Sequence, residues 1–243
     1  MLRASFKWGA RSHMPAPVGA AAFKAARSKE YTVAVDEIRQ RGWRRAAQAS
    51  QSRLDESLSA AAAASNEKSA CRVGCWYCCY LKVGVRPEEA FTIVEYVREH
   101  FTQERSKEIR EAVTSNARFM RRATPAEQLV ASLKCPFLAD GACSIYEVRP
   151  ARCRSFHAVN LKGCQESFEQ PQNLNILSSF VPEIYTAGEA HLDACNTAMR
   201  ENGLDATVYE MNTALAECLT DSAPIRRFEN GKPAFIRGMP GDS

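Results

Sequence analysis

With 243 residues, 45% of them hydrophobic and 25% charged, the chain can bury one generous core or two small ones, which excludes a fibrous or wholly disordered protein. No stretch approaches the run of about 18 apolar residues that a membrane span needs, so none is expected. The net charge of +4 is unevenly spread: residues 1–53 hold eleven Lys or Arg against three acids, or +8, so the remainder sums to −4. This excess reads as a solvated or helix-forming arm, and no nucleic-acid partner is expected from it.

The first 29 residues carry six basic side chains and no acid, with Ser5, Ser12 and Ser28, a composition like that of an organelle transit peptide. Pro15 and Pro17 break the helix such a peptide needs, and Lys7 and Arg11 interrupt any secretory apolar core. Residues 1–29 are therefore read as a basic flexible arm on a cytoplasmic protein. From Tyr31 to Ala64 there is no proline and the residues favour helix, which predicts one or two helices packed on the main body.

Pro87 suits the first position of a helix, Glu88 and Glu89 favour its dipole, and Ala90, Ile93, Val94, Val97 and Phe101 repeat at helical spacing. Ile109, Val113, Ala117 and Met120 mark the next helix, whose other faces carry a solvated mixture of arginines and glutamates. Ile184, Gly188, His191, Leu192, Cys195 and Met199 form a third stripe. Val208, Met211, Leu215, Cys218 and Leu219 form a fourth, with Asp205 as its expected N-cap. From Ala223 on, Pro224, Pro233, Pro240 and three glycines predict a loose tail, residues 223–243. No segment alternates with period two. The expected fold is mainly α, a single helical domain over residues 30–222 in which irregular cysteine-rich loops join the helices.

Eight of the ten cysteines lie between Cys71 and Cys164. The first group reads Cys71-Arg-Val-Gly-Cys75-Trp-Tyr-Cys78-Cys79, where Gly74 lets the backbone turn so that several sulfurs can face one point. The second comprises Cys135, Cys143, Cys153 and Cys164; Asp140-Gly141 is a turn that can return the chain, and Pro150 can open a short helix carrying Cys153. Soft thiolates at such spacings favour zinc or an iron–sulfur cluster. The adjacent Cys78 and Cys79 would point apart in a strand or a helix, which favours a polynuclear cluster, two neighbouring metals, or one ligand beside one bystander.

Crowded thiolates repel, so cations are needed near them; Arg149, Arg152 and Arg154 flank Cys153 most closely. His157, four residues after Cys153, is open to readings as ligand, proton carrier or satisfied polar group. His13, His100 and His191 are left as surface or core residues. Cys195 and Cys218, on apolar stripes, are read as small hydrophobes outside the metal site.

The segments CRVGCWYCCYLKVGV and CPFLADGACSIYEVRPARCRSF resemble the YkgJ-type cysteine-cluster family, also called CxxCxxCC, over roughly residues 70–170. The resemblance implies zinc or iron held at Cys71, Cys75, Cys78, Cys79, Cys135, Cys143 and Cys153, with Cys164 matching a further cysteine of longer-spaced members. The first spacing here is three residues, where the family name has two. Flagellin lysine N-methylases carry a similar cluster, so the resemblance leaves enzymatic activity open.

Two functions are thus carried forward: an iron–sulfur protein with a redox or cluster-assisted role, and a non-enzymatic zinc module whose closed thiolate sites hold loops together. Substrate and partner, protein or small molecule, stay unknown. The Cys71-x3-Cys75-x2-Cys78 spacing is also that of a radical S-adenosylmethionine motif, but no strand precedes Cys71 and the barrel pattern is missing. Glycine-rich phosphate loops and a G-x-S-x-G nucleophile turn are absent.

Overall fold

The computed structural model describes residues 19–176 and 179–241. It is mainly α, with four two-residue strands among the described residues. Helix α1 (Ala20–Ala64) is broken at Gly42, whose φ of 75° and ψ of 161° lie outside helical space, so the stretch is two helices folded back on each other. Arg53 of the second arm reaches Glu30 and Glu37 of the first, all three bonds between 2.7 and 2.8 Å. The helical expectation for residues 31–64 holds as two helices. The first starts at Ala20, ten residues ahead of the expected arm boundary, because Ala20–Ala26 is itself helix-forming. The calls on Pro15, Pro17 and most of the basic arm fall outside the described residues.

Helix α7 (Pro182–Glu201) packs against both arms of α1. Arg27 pairs with Asp193 and Tyr31 with Glu201, while on the second arm Ser50 meets His191 and Ser65 meets Glu183. The three helices form a bundle, and Ile184, Ala190, Cys195 and Ala198 are buried along it. Helices α2 (Pro87–His100) and α3 (Gln103–Arg122) bury the apolar stripes expected of them, except that Phe101 follows α2 as its C-cap and is only partly buried. The short α4 (Pro125–Val130) is opened by Thr124 and Glu127, which cap each other's backbone N–H groups.

Helix α8 (Met211–Cys218) is capped by Glu210, whose carboxylate accepts from the N–H groups of Asn212 and Thr213. Asp205, the expected cap, lies one turn too early and instead accepts from Thr207 N, Tyr209 Oη and Ala234 N. Strand β4 (Tyr209–Glu210) pairs antiparallel with β1 (Gly84–Val85), Val85 opposite Tyr209.

The expected loose tail is corrected by the structure. Helix α9 spans Ala223–Glu229, with Pro224 in its first turn where a missing N–H costs nothing, and Phe228, Ala234 and Phe235 are buried. Trp43, Phe91 and Phe228 meet edge to face at 5.2 to 5.6 Å, so the tail's aromatic residues decide its course against its prolines. No helix of the described residues is long and apolar enough to cross a membrane.

Helix α5 (Ala151–Ser155), which carries Cys153, lies on α7 at Gly188. A Cβ at Gly188 would stand 2.5 Å from Ser155 Cβ, and both atoms sit close to their backbones, so neither can swing aside. Gly188→Ala should therefore cost about 1–3 kcal/mol of packing strain against a helix-propensity gain of about 1 kcal/mol. The net loss should show as a lower denaturant midpoint, and adding Ser155→Gly should reverse it. A midpoint unchanged in the single variant would refute the close approach.

At the start of α2, Arg86, Glu88 and Glu89 are all buried. Arg86 Nε and Glu88 Oε1 touch at 2.7 Å, but the N–H is not aimed at that oxygen, and Glu88 Oε2 has no hydrogen-bond partner. Burial pushes the Glu88 carboxyl up to about 7, with Arg86 opposing and Glu89 adding to the rise. Glu88 then holds its proton more tightly in the folded chain than in the unfolded one. The stability this adds is complete below about pH 4.5 and is lost as pH rises to about 7, on the order of 3 kcal/mol. Glu88→Gln should remove that slope: the stability difference between variant and parent, from urea unfolding, should widen in the variant's favour between pH 5 and pH 8. A difference independent of pH would count against it.

Candidate metal centre

Seven cysteines from five chain segments converge beside α5. Cys71 and Cys75 lie in the loop after α1; Gly74, at φ 85°, turns this loop, closed by the Cys75 N–H on the Arg72 carbonyl at 3.0 Å. Cys78 and Cys79 occupy a 3₁₀ turn, Tyr77–Tyr80. The Cys135 N–H donates to the Cys79 carbonyl at 2.8 Å, which ties the second cysteine group to the first. Strands β2 (Leu138–Ala139) and β3 (Ala142–Cys143) form a hairpin around Asp140 and Gly141, both at positive φ, as the turn signal predicted, and return Cys143 opposite Leu138. Pro150 opens α5, and Cys153 rides on it.

The sulfurs form one electrostatically continuous set. Cys78 interacts with Cys71, Cys79 and Cys153; Cys79 acts in addition on Cys75, Cys135, Cys143 and Cys153. The sulfurs of the vicinal pair are hydrogen-bonded to each other, Cys78 donating to Cys79, so the expected divergence is corrected: the pair sits in a 3₁₀ turn, neither the strand nor the α-helix from which divergence was argued. The bond raises Cys78 and lowers Cys79. Burial pushes Cys135 up to about 12 and raises Cys143, Cys153 and Cys75, the last also through Cys71.

Against that burial stands a repeated backbone device. The N–H of Tyr77 faces the sulfur of Cys75, that of Phe137 the sulfur of Cys135, and that of Ile145 the sulfur of Cys143, each from two residues on. Cys71 Sγ accepts from Ala158 N at 3.4 Å. Such donors favour the thiolate, the form that binds metal.

Of the three flanking arginines, Arg154 is spent on Asp55 and on backbone carbonyls, and Arg152 on Glu189. Arg149 acts on Cys79, Cys143 and Cys153, its guanidinium stacked 4.0 Å over Tyr146. Its Nε is buried with no hydrogen-bond partner. A buried guanidinium N–H left over beside seven thiols is the feature expected where a negatively charged thiolate or sulfide centre belongs. The donor set thus fits a metal.

His157 has both ring nitrogens engaged: Nε2 donates to the Arg154 carbonyl at 3.0 Å, and Nδ1 lies 3.1 Å from Ser69 Oγ. Ser69 Oγ in turn accepts from Cys71 N at 3.2 Å. The imidazole therefore positions the Cys71 loop, and burial lowers its pKa. Cys164 stands on α6 (Leu161–Glu169) with its Sγ 3.9 Å from the Asn160 carbonyl. Phe168 of that helix packs on Trp76, Tyr77 and Tyr80, an aromatic cover beside the vicinal pair that cysteine spacing does not reveal. Cys218 is buried on α8, within the core against which Cys135, Cys143 and Cys153 pack.

A family model, CxxCxxCC, described as a "Putative zinc- or iron-chelating domain", is found at residues 70–176, which contain all eight of these cysteines. No curated protein and no solved structure matches the chain.

Because Arg149 is the cation that faces three of the thiols, Arg149→Met should leave the fold intact and weaken metal retention against a competing chelator by about 10–100-fold. Arg152→Met, which removes a partner of Glu189, should change stability more than retention. Equal retention in the Arg149 variant and the parent would remove Arg149 from the centre.

Proposed function

We propose that the CxxCxxCC domain holds a polynuclear, thiolate-bound metal centre on Cys71, Cys75, Cys78, Cys79, Cys135, Cys143 and Cys153, with Cys164 of the adjoining α6 as the eighth ligand, and that this centre is an iron–sulfur cluster. The observation that carries it is the number and continuity of the sulfurs. One tetrahedral ion uses four ligands, whereas seven interact here with Cys79 at their hub.

An iron–sulfur centre supplies electron transfer when bound. The residues around it supply the rest: backbone N–H groups and Arg149 hold negative charge, and the Trp76, Tyr77, Tyr80 and Phe168 rings limit water. A cytoplasmic setting, where thiols stay reduced, suits this reading. A pair of zinc ions is the second reading, favoured by the close contact of Cys78 with Cys79, which suits a sulfur shared between neighbouring ions. In that case the centre is a structural cross-link among five segments and no reaction follows.

Protein purified without oxygen should be coloured, should contain iron and acid-labile sulfide, and should bleach on reduction. Cys78→Ser and Cys135→Ser should each lower iron and sulfide at least several-fold, while Cys218→Ser leaves them unchanged. A colourless protein with about two zincs per chain and no labile sulfide would replace the cluster with the zinc pair. A protein binding neither metal would end both readings.

A further inference from the structure

We infer that the helical bundle carries a second metal site, a single zinc ion held by Glu30, His191 and Cys195, outside residues 70–176 and independent of the cysteine cluster. The three residues are 7%, 4% and 4% exposed. Among the described residues they form the set whose ligand atoms, one oxygen, one nitrogen and one sulfur, all lie within 4.8 Å of one another.

The edges of this triangle have the lengths a shared ion would set. His191 Nδ1 is 3.6 Å from Glu30 Oε2, beyond an N–H···O bond, while the Cys195 thiol donates a long hydrogen bond to Glu30 Oε1 at 3.7 Å, the proton a metal would replace. Zinc bonds of about 2.0–2.3 Å in a tetrahedron separate such ligand atoms by roughly 3.4–3.7 Å. The outer sides of the ligands are already held, which is the usual companion of a metal site. Arg53 grips both oxygens of Glu30 at 2.8 Å. Ser50 Oγ lies 2.9 Å from His191 Nε2 and 3.2 Å from Cys195 Sγ. A serine hydroxyl has one proton and can accept from Nε2–H while donating to sulfur; in that tautomer the Nδ1 lone pair faces Glu30, as a metal ligand's would.

A second observation comes from the adjoining space. Ser50, His191, Cys195, Arg86 and Glu88 line a small cavity with room for roughly a water or two. Arg86 Nε, Arg86 Nη1 and Glu88 Oε2 are buried there without hydrogen-bond partners. That space borders two of the three ligands, His191 and Cys195, and its unpaired donors and acceptor suit a water beside the ion. It is too small for a metabolite. A carboxylate and a thiolate offset the charge of a divalent ion, with the Cys195 thiol proton passing to solvent on binding, while the neighbouring Arg53 and Arg86 are faced by Glu37 and by Glu88 and Glu89. Mixed oxygen, nitrogen and sulfur ligands select zinc over magnesium or calcium. This assignment departs from the reading of Cys195 as a small hydrophobe.

The test is zinc titration of metal-stripped, full-length protein against a chromophoric chelator, with iron and sulfide measured on matched unstripped samples. His191→Gln and Cys195→Ser should each lose one zinc equivalent per chain relative to the parent, with iron and sulfide unchanged. Cys218→Ser, which alters another buried thiol, should keep the parental number. An equal number of zinc equivalents in the parent and in either folded variant overturns the site. If both variants lose their helical circular dichroism, Ser50→Ala decides: zinc held about 10–100-fold more weakly supports the site, and unchanged affinity overturns it.

Discussion

One buried carboxylate joins the helical body to the cysteine segment. Glu89 accepts the Arg86 N–H through Oε2 at 2.9 Å and the Ala151 N–H through Oε1 at 2.7 Å, so the N-termini of α2 and α5 share a single side chain. Both helix ends carry partial positive charge, and the carboxylate between them satisfies donors that would otherwise be buried and unpaired. Cys153 sits two residues beyond Ala151, so its position is referred through Glu89 to the buried first turn of α2. Gly188 and the α7 backbone fix the other side of α5.

The cysteine centre is built where burial works against its own chemistry. Enclosure raises most of the thiols, and their mutual repulsion raises them further. The fold answers with backbone N–H groups placed two residues beyond Cys75, Cys135 and Cys143, and with arginines, chiefly Arg149 and, at single thiols, Arg72 and Arg154. Without a metal, these donors serve neutral thiols poorly. The balance of favourable and unfavourable terms is completed by a cation at the sulfurs, which couples metal binding to the order of the loops.

How far the sequence could be read depended on whether a signal was local. Pro87 with Glu88 and Glu89, the 109–120 stripe, and Asp140-Gly141 each fix their own neighbourhood through backbone geometry or period, and the structure follows them. Pro224 and Pro233 misled because their effect on the tail was outweighed by Phe228 and Phe235, whose partners Phe91 and Tyr209 lie elsewhere in the chain. Gly42 gave no sign that it ends a helix, since a single glycine in an otherwise helix-forming run is tolerated by either course. The approach of Glu30 to His191 and Cys195 was invisible for a similar reason. Each looks ordinary on its own helix, and only the fold-back at Gly42 and the docking of α7 bring them together. His157 was ambiguous by spacing; the fold engages its ring nitrogens with Ser69 and the Arg154 carbonyl.

The packing of α7 between the arms of α1 sets an order of assembly. The contacts joining Arg27 to Asp193, Tyr31 to Glu201 and Ser50 to His191 span 141 to 170 residues of chain. During synthesis the first helices therefore emerge well before the helix that covers them, and the whole metal-chelating segment is made in the interval. Its thiols come together largely through nearer partners, such as the hairpin that links Cys135 with Cys143. The bundle can close only afterwards, as a clasp around a segment whose chain is already complete.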